Sequence, residues 1–204
     1  MRGAVRGAAV VWRTVLTATL ALALGSAVVG CVEGDEAATP APSPQASPAV
    51  PADALEAFAL ASGLEHLPRA TVLVGEAQAE EDAGRLTLHV VVAETDAARR
   101  RGLMGVTEVP AGVGMLFAYA DDPGQDGRPG FWMLDTLVEL DIVFASEGTV
   151  VGVATMVPCA AQPCAVTHPG VDYDVAVEVA AGTLASAGVG PGDTLRWERA
   201  APPR

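Results

Sequence analysis

From residue 85 to the C-terminus, the chain consists of short apolar runs separated by turn residues, and this pattern restricts its fold more than any other feature. Residues 85–93 begin with an alternation of apolar and polar positions, as in a half-buried strand. Further strands, bounded by Gly, Pro or Asp, are predicted at residues 114–119, 131–134, 140–145, 149–157, 173–179 and 194–198. Such a series usually closes on itself to protect its edges. We therefore expect a compact α+β, mostly β domain, a barrel or half-barrel of about seven to eight short strands with two short helices.

The two helices of this domain have recognisable end signals. The first begins at Thr95, whose hydroxyl can cap it, and carries Asp96 in its first turn, where the helix dipole favours an acid. It ends at Arg101, because Gly102 can adopt the left-handed conformation that stops a helix. The second helix is predicted over residues 181–187, before a glycine-rich turn into the last strand.

The N-terminus has the layout of an export signal. Arg2, Arg6 and Arg13 precede an uncharged apolar run, residues 15–29, that ends in small residues. A membrane-spanning helix needs roughly 20 apolar residues, so this shorter run favours a cleaved signal peptide over a permanent span.

The end of the signal resembles the bacterial lipoprotein box. In Val28-Val29-Gly30-Cys31, the resemblance implies that Cys31 is acylated, with chains such as palmitate, and becomes the first residue of the mature protein. Two or more acyl chains hold a protein on a membrane almost permanently. We therefore expect anchoring to the cell membrane through Cys31, on the extracytoplasmic face. The alternative is a plain cleaved signal in which Cys31 has no role.

Between the predicted anchor and the strand-rich domain, the composition changes twice. Residues 31–52 are rich in Pro, Ala and Ser, which favours an extended tether. Asp53 can cap a short helix over residues 53–61, and Gly63 can end it. The chain is accordingly divided into a signal peptide (1–30), a lipidated cysteine and tether (31–52), a short helix and lead-in segment (53–84), the β-rich domain (85–199) and a tail (200–204).

The charge excludes several function classes. The chain carries a net charge of −13, and all 12 of its basic residues are Arg. The absence of Lys and Asn excludes a Schiff-base lysine, a P-loop lysine and an N-glycosylation site. Nucleic acid is not expected as a partner, because binding to phosphates requires clustered positive charge.

Cys159 and Cys164 are expected to form a disulfide. The short loop between them contains Pro163 and can bring the two Cα atoms within roughly 7 Å, and an exported protein meets oxidising conditions. Acylation of Cys31 would account for the third thiol. A zinc site that combined these cysteines with His168 lacks a fourth ligand, so no metal or other cofactor is expected.

Trp132, Asp135 and Asp141 form the most suggestive group of side chains. If Trp132 faces a groove, its ring flanked by carboxylates can hold a polar ring such as a sugar. The alternative is that Trp132 lies in the core, while Asp141 caps a turn or pairs with Arg101. Two close carboxylates could also serve as acid and base in a glycosidase, although their separation does not follow from the sequence.

Six motifs in order carry a family resemblance. They are Arg101-Gly-Leu-Met104, Gly114-Met-Leu-Phe117, Phe131-Trp-Met133 with residues 136–144, the two Pro-Cys pairs, Glu178-Val179 with Ala181-Gly182, and Gly190-Pro-Gly-Asp193. Over residues 85–198 the chain resembles the bacterial and archaeal domain-of-unknown-function family 192, also called uncharacterised protein family 0127. The resemblance implies a compact β-rich α+β domain and brings no established activity. Where the family reads Lys-Asn, this chain has Leu134-Asp135.

No recognisable nucleophile accompanies these features, so a binding module is favoured over an enzyme. We expect a lipid-anchored extracytoplasmic binding or interaction module whose partner is an unknown small molecule, such as an envelope glycan, or an envelope protein. One alternative is a small envelope hydrolase that uses paired carboxylates, and another is a structural protein of envelope assembly. The candidate ligand-binding residues are Arg101, Met104, Trp132, Asp135 and Asp141.

Overall fold

The structure, a computed structural model, describes residues 50–51, 53–76, 85–119 and 130–201. The predicted signal peptide, Cys31, nearly all of the predicted tether and residues 202–204 lie outside these ranges.

Nine strands and three short helices are found within the described residues. In chain order they are α1 (Ala54–Ala61), β1 (Arg69–Gly75), β2 (Leu86–Ala93), α2 (Asp96–Arg101), β3 (Val113–Ala118), β4 (Phe131–Trp132), β5 (Leu140–Ser146), β6 (Thr149–Met156), β7 (Val166–Thr167), β8 (Val175–Ala180), α3 (Thr183–Ser186) and β9 (Thr194–Arg199). None of these helices has the length and apolar character that crossing a membrane requires.

Seven strands form a closed barrel, in the order β1-β2-β3-β8-β5-β6-β9. The pair β2–β3 is parallel and the other neighbours are antiparallel. Strands β6 and β9 close the barrel through one residue pair, Thr149 with Thr194. The prediction of a mostly β, α+β barrel is confirmed.

Two apolar clusters hold this architecture together. One cluster takes residues from all seven barrel strands and fills the interior; Val72, Leu88, Val143 and Val177 are fully buried there. The other cluster lies on the outer face of β2, β3, β8 and β5, where α1, residues 103–109 and β4 cover the sheet. Because successive side chains of a strand point to opposite faces, β2, β3, β8 and β5 are largely apolar on both sides.

The barrel begins earlier than the sequence division placed it. Strand β1 lies in the segment assigned as a lead-in, yet it pairs with β2 and with β9, so the barrel cannot close without it. Its partner in β9 is more than a hundred residues away along the chain, for example Val72 opposite Trp197. Such a pairing leaves no local signal in the sequence. The segment before β1 also belongs to the fold, because Phe58 of α1 is buried in the outer cluster.

The local signals at the ends of α2 act as predicted, whereas Asp53, the predicted cap of α1, forms no side-chain capping hydrogen bond. The Thr95 hydroxyl accepts a hydrogen bond from the Ala98 amide at 3.2 Å, and Gly102 has a φ of 49° at the end of α2. Gly114 serves packing instead: a Cβ there would overlap the carbonyl oxygen of Glu178 on the adjacent strand. A residue without a side chain is therefore required where β3 and β8 approach most closely.

Candidate functional site

A two-stranded ribbon outside the barrel carries Trp132. In this ribbon, β4 and β7 are antiparallel, with Phe131 opposite Thr167 and Trp132 opposite Val166. Phe131 points inward and is 8% exposed, whereas Trp132 is 48% exposed. The interpretation that placed Trp132 in the core is therefore wrong.

Phe131 explains why Trp132 faces outward. The Phe131 ring packs edge-on against Phe117 at 4.9 Å and Phe144 at 5.6 Å between centroids, within the outer apolar cluster. Neighbouring side chains on a strand point to opposite sides, so burial of Phe131 directs Trp132 to solvent. A Cβ at Gly130 would overlap the Val166 side chain, so the glycine allows the two strands to meet.

The disulfide loop, residues 159–164, holds the segment that follows β4. Cys159 and Cys164 form a disulfide with their Cα atoms 5.8 Å apart, as predicted. The Cys159 amide donates to the Met133 carbonyl at 3.1 Å, and the Asp135 amide donates to the Cys159 carbonyl at 3.1 Å. Trp132 is therefore held by its own pairing with Val166, and the next residue, Met133, is held by its hydrogen bond with Cys159.

Asp135 joins this segment to the loop that follows α2. Its carbonyl accepts a hydrogen bond from the Gly105 amide at 2.8 Å, and its φ of 55° turns the chain sharply. Its carboxylate is exposed, and the adjacent loop carries the half-buried Met104. Three of the predicted residues, Trp132, Asp135 and Met104, thus lie on two segments that a backbone hydrogen bond joins.

Arg101 and Asp141 have other roles. The Arg101 guanidinium donates to the carbonyl of Ser62 at 2.8 Å, which ties α2 to the end of α1. Asp141 is 3% exposed; its Oδ1 accepts from the Thr155 hydroxyl at 2.7 Å and its Oδ2 from the Leu184 amide at 3.0 Å. Asp141 thus fixes the start of α3 and forms no ion pair with an arginine of the described ranges, in agreement with the interpretation that it caps a turn.

The exposed apolar side chains are concentrated near Trp132. The described residues include seven large hydrophobic side chains that are exposed, and four of them come from residues 131–139 and 156–167. These two segments are connected by the β4–β7 pairing and by the bridge between Leu134 and Cys159. We call this surface the ribbon face and define it by Trp132 (48% exposed), Leu137 (58%), Val157 (62%) and Val166 (65%), together with the acids Asp135 and Glu139.

A groove of about 310 Å³ lies elsewhere, between α1 and residues 105–110. Its walls include Phe58 and Pro110 and none of the predicted site residues. The loop after α2 and the segment after β4 are joined by the backbone hydrogen bond from the Gly105 amide to the Asp135 carbonyl.

Glu178 is the titratable residue that the site prediction missed. It lies on β8 opposite Met115 of β3 and Ile142 of β5, on the face that the outer cluster covers. It is 4% exposed, and burial raises the pKa of its carboxyl to about 8. The sequence signal for a buried acid was a single Glu within the otherwise apolar run Val175–Ala180.

Two side chains that could support catalysis, Ser186 and His168, form local hydrogen bonds. The Ser186 hydroxyl donates to the Gly182 carbonyl at 2.7 Å, and Nδ1 of His168 accepts from the Gly170 amide at 2.9 Å. No group of three His, Cys, Asp or Glu side chains in the described ranges is arranged to hold a metal ion.

Comparisons with known proteins agree with this architecture. A protein from Sinorhizobium meliloti 1021, named as a candidate transcription regulator, is 28% identical, covers 64% of this chain and 95% of its own, and superposes with a TM-score of 0.53. A protein of unknown function from Novosphingobium aromaticivorans DSM 12444 is 27% identical, with coverage of 62% and 84% and a TM-score of 0.52. No curated protein shows significant similarity to the chain. The model of DUF192, described as an uncharacterized ACR, matches residues 77–197. The chain therefore belongs to the DUF192 family, as the six motifs predicted.

Proposed function

We propose that the protein is a lipid-anchored binding module that engages its partner through the ribbon face, on the extracytoplasmic side of the cell membrane. The single observation that carries the binding role is the exposure of Trp132 on a ribbon fixed by a disulfide loop. Exposed aromatic side chains on rigid supports are typical of binding surfaces, because their ordering costs little entropy when a partner binds.

The sequence supports the anchored location. The basic residues, the apolar run and the small residues before Cys31 form the expected order for a lipoprotein signal. The disulfide between Cys159 and Cys164 is compatible with an oxidising compartment.

Binding is favoured over catalysis by the state of the carboxylates. Asp141 is buried and both of its oxygens accept hydrogen bonds that hold the fold together. Asp135 is exposed while Asp141 is engaged in the scaffold, so Asp141 is not free to serve as one of the two carboxylates that an envelope glycosidase needs.

The composition of the ribbon face bears on the ligand. A glycan could stack on Trp132 and donate hydroxyl protons to Asp135. Leu137, Val157 and Val166 add exposed apolar surface that a glycan does not require, which favours an envelope protein as the partner.

A role in transcription, suggested by the name of the S. meliloti protein, is not proposed for this chain. Contact with DNA phosphates depends on clustered Lys or Arg, and the chain has a net charge of −13.

The anchor is tested by expressing the full precursor in a bacterial host that is fed labelled palmitate. The label should enter the wild-type chain and be lost from Cys31→Ala. Equal labelling of both chains, or none in either, would contradict the anchor.

The binding role is tested by placing a photoreactive amino acid at position 132 of the full-length protein in the native envelope. A discrete crosslinked product should form from position 132 and be absent when the same group is placed at position 60. Leu60 is a matched control, because its side chain is 70% exposed and lies on α1, outside the ribbon face. The same products from both positions, or none from position 132, would contradict the proposal.

A further inference from the structure

We infer that the ribbon face docks a cationic, amphipathic segment of an envelope protein, an extended peptide in which Arg or Lys alternates with aliphatic side chains. This inference rests on the proposed binding function and specifies the class of partner that the same surface accepts.

The apolar part of the face is large enough for a peptide. Trp132 and Val166 lie directly opposite each other in the ribbon, so their side chains share one side of it. Leu137 and Val157 are exposed on the two segments that lie between the ribbon and the first pair of the β5–β6 hairpin, Leu140 with Met156. A peptide partner can cover several separate apolar side chains of this kind, whereas a sugar ring covers one aromatic plane.

The polar part of the face is acidic. Asp135 and Glu139 lie in the same segment as Trp132, and both are exposed. Neither forms a salt bridge, since the four ion pairs of the described residues all involve other acids. The Arg101 guanidinium, on the helix that leads to the neighbouring loop, is directed to the Ser62 carbonyl. No basic residue of the described ranges forms an ion pair with either carboxylate of the face.

Basic residues are scarce in the sequence of this part of the chain. Between Arg128 and Arg196 the sequence contains neither Arg nor Lys, and His168 is the one histidine. Interfaces pair opposite potentials, and uncompensated acids beside apolar side chains attract a partner that carries basic groups. Charge complementarity thus points to a basic segment.

The same charges argue against a second copy of this chain as the partner. In a two-fold symmetric contact, each ribbon face would meet itself, which would bring Asp135 and Glu139 close to their own copies. Like charges at such a contact cost binding energy, so the face is poorly suited to self-association.

The fixed geometry of the face favours binding by a flexible partner. The disulfide loop and the ribbon pairing hold Trp132 in place before the partner binds. Most of the conformational entropy lost on binding is therefore lost by the peptide. A basic peptide strand that alternates cationic and aliphatic side chains would place its two sides against the acidic and apolar parts of the face.

The probe is a synthetic peptide of alternating Arg and Leu, titrated calorimetrically into the full lipidated protein in detergent. A peptide of alternating Glu and Leu is the charge-reversed control. We expect the Arg–Leu peptide to bind, the Glu–Leu peptide not to bind, and the affinity to fall as salt is added.

Four variants locate the binding. Trp132→Ala and the double variant Asp135→Asn/Glu139→Gln should each weaken binding about tenfold or more. Asparagine suits position 135, because it tolerates the positive φ of Asp135. Leu60→Ala and Glu147→Gln change an exposed apolar and an exposed acidic side chain outside the face and should bind as the wild type does.

Two results would overturn the inference, and they differ in what they mean for the proposed function. Equal binding of the peptide by the wild type and the Asp135→Asn/Glu139→Gln variant would show that the face does not select for cations. If crosslinking from position 132 nevertheless gave a discrete product, the binding function would stand and the class of partner would be wrong. Absence of both the peptide binding and the crosslink would overturn the inference and the proposed function together.

Discussion

The backbone amide of Cys159 donates a 3.1 Å hydrogen bond to the carbonyl of Met133, and this contact ties the disulfide to the segment that carries Trp132. The Met133 side chain is buried in the outer cluster, so the segment is fixed from the barrel side as well. Two residues beyond the second cysteine, Val166 pairs with Trp132 itself. The loop closed by the disulfide thus contacts the Trp132 segment near both of its ends.

Removal of the disulfide should loosen Trp132. We expect Cys159→Ser/Cys164→Ser to lower the free energy of unfolding by about 2 kcal/mol, because a short closed loop restricts the unfolded chain modestly. Quenching of Trp132 fluorescence by acrylamide should increase, as measured in a Trp12→Phe/Trp197→Phe background that removes the other two tryptophans of the sequence. Unchanged quenching with an unchanged unfolding midpoint would show that the loop does not hold the ribbon.

Asp141 should behave as a residue of the scaffold. We expect Asp141→Ala to lower the free energy of unfolding by about 2–3 kcal/mol, because the buried Leu184 amide loses its acceptor. Urea unfolding of the variant measures this loss, and Asp172→Ala, which alters an exposed acid, should change stability by less than about 0.5 kcal/mol. A stable Asp141→Ala protein that had lost binding would place Asp141 in the binding surface instead.

Glu178 should make the stability depend on pH. Its pKa is about 8 in the folded chain and 4.5 as the ordinary value, so folding favours the protonated carboxyl. The contribution of the protonated Glu178 carboxyl to the free energy of unfolding is complete below about pH 4.5 and is lost as the pH rises through about 8. At about 1.36 kcal/mol per pKa unit, it amounts to roughly 5 kcal/mol. Glu178→Gln should therefore be more stable than the wild type at pH 8 and similar at pH 4.5.

Unfolding in urea at a series of pH values measures the Glu178 effect, with Glu65→Gln as a control for an exposed acid. Glu56 and Glu94 act in a different window, because hydrogen bonds from Arg69 and Arg199 lower the pKa of each carboxyl. Their contributions are lost as the pH falls below 4.5, so they do not mask the change above it. Parallel stability curves for the wild type and Glu178→Gln would contradict the account of Glu178.

Features that depend on local chemistry could be predicted from the sequence. The Thr95 cap, the stop at Gly102 and the disulfide between Cys159 and Cys164 each depend on residues a few positions apart. The alternation of residues 85–93 located β2 for the same reason.

Features that depend on distant partners could not be predicted. Strand β1 is defined by its pairing with β9, and the burial of Glu178 depends on the layer that α1 and the loop after α2 place over β8. The direction of Trp132 was ambiguous, because alternate residues of its segment are apolar on both sides. Packing of Phe131 against Phe117 decides it.

The central claim is that Trp132 serves binding and not folding, and Trp132→Ala in the full-length chain tests it most directly. The thermal unfolding midpoint and the yield of a crosslink from a photoreactive residue at position 166 would be measured on the same preparation. We predict a midpoint within about 2–4 °C of the wild type, because a half-exposed side chain contributes little to stability, and a crosslink yield reduced about tenfold. A large fall in the midpoint, or an unchanged crosslink yield, would contradict the account.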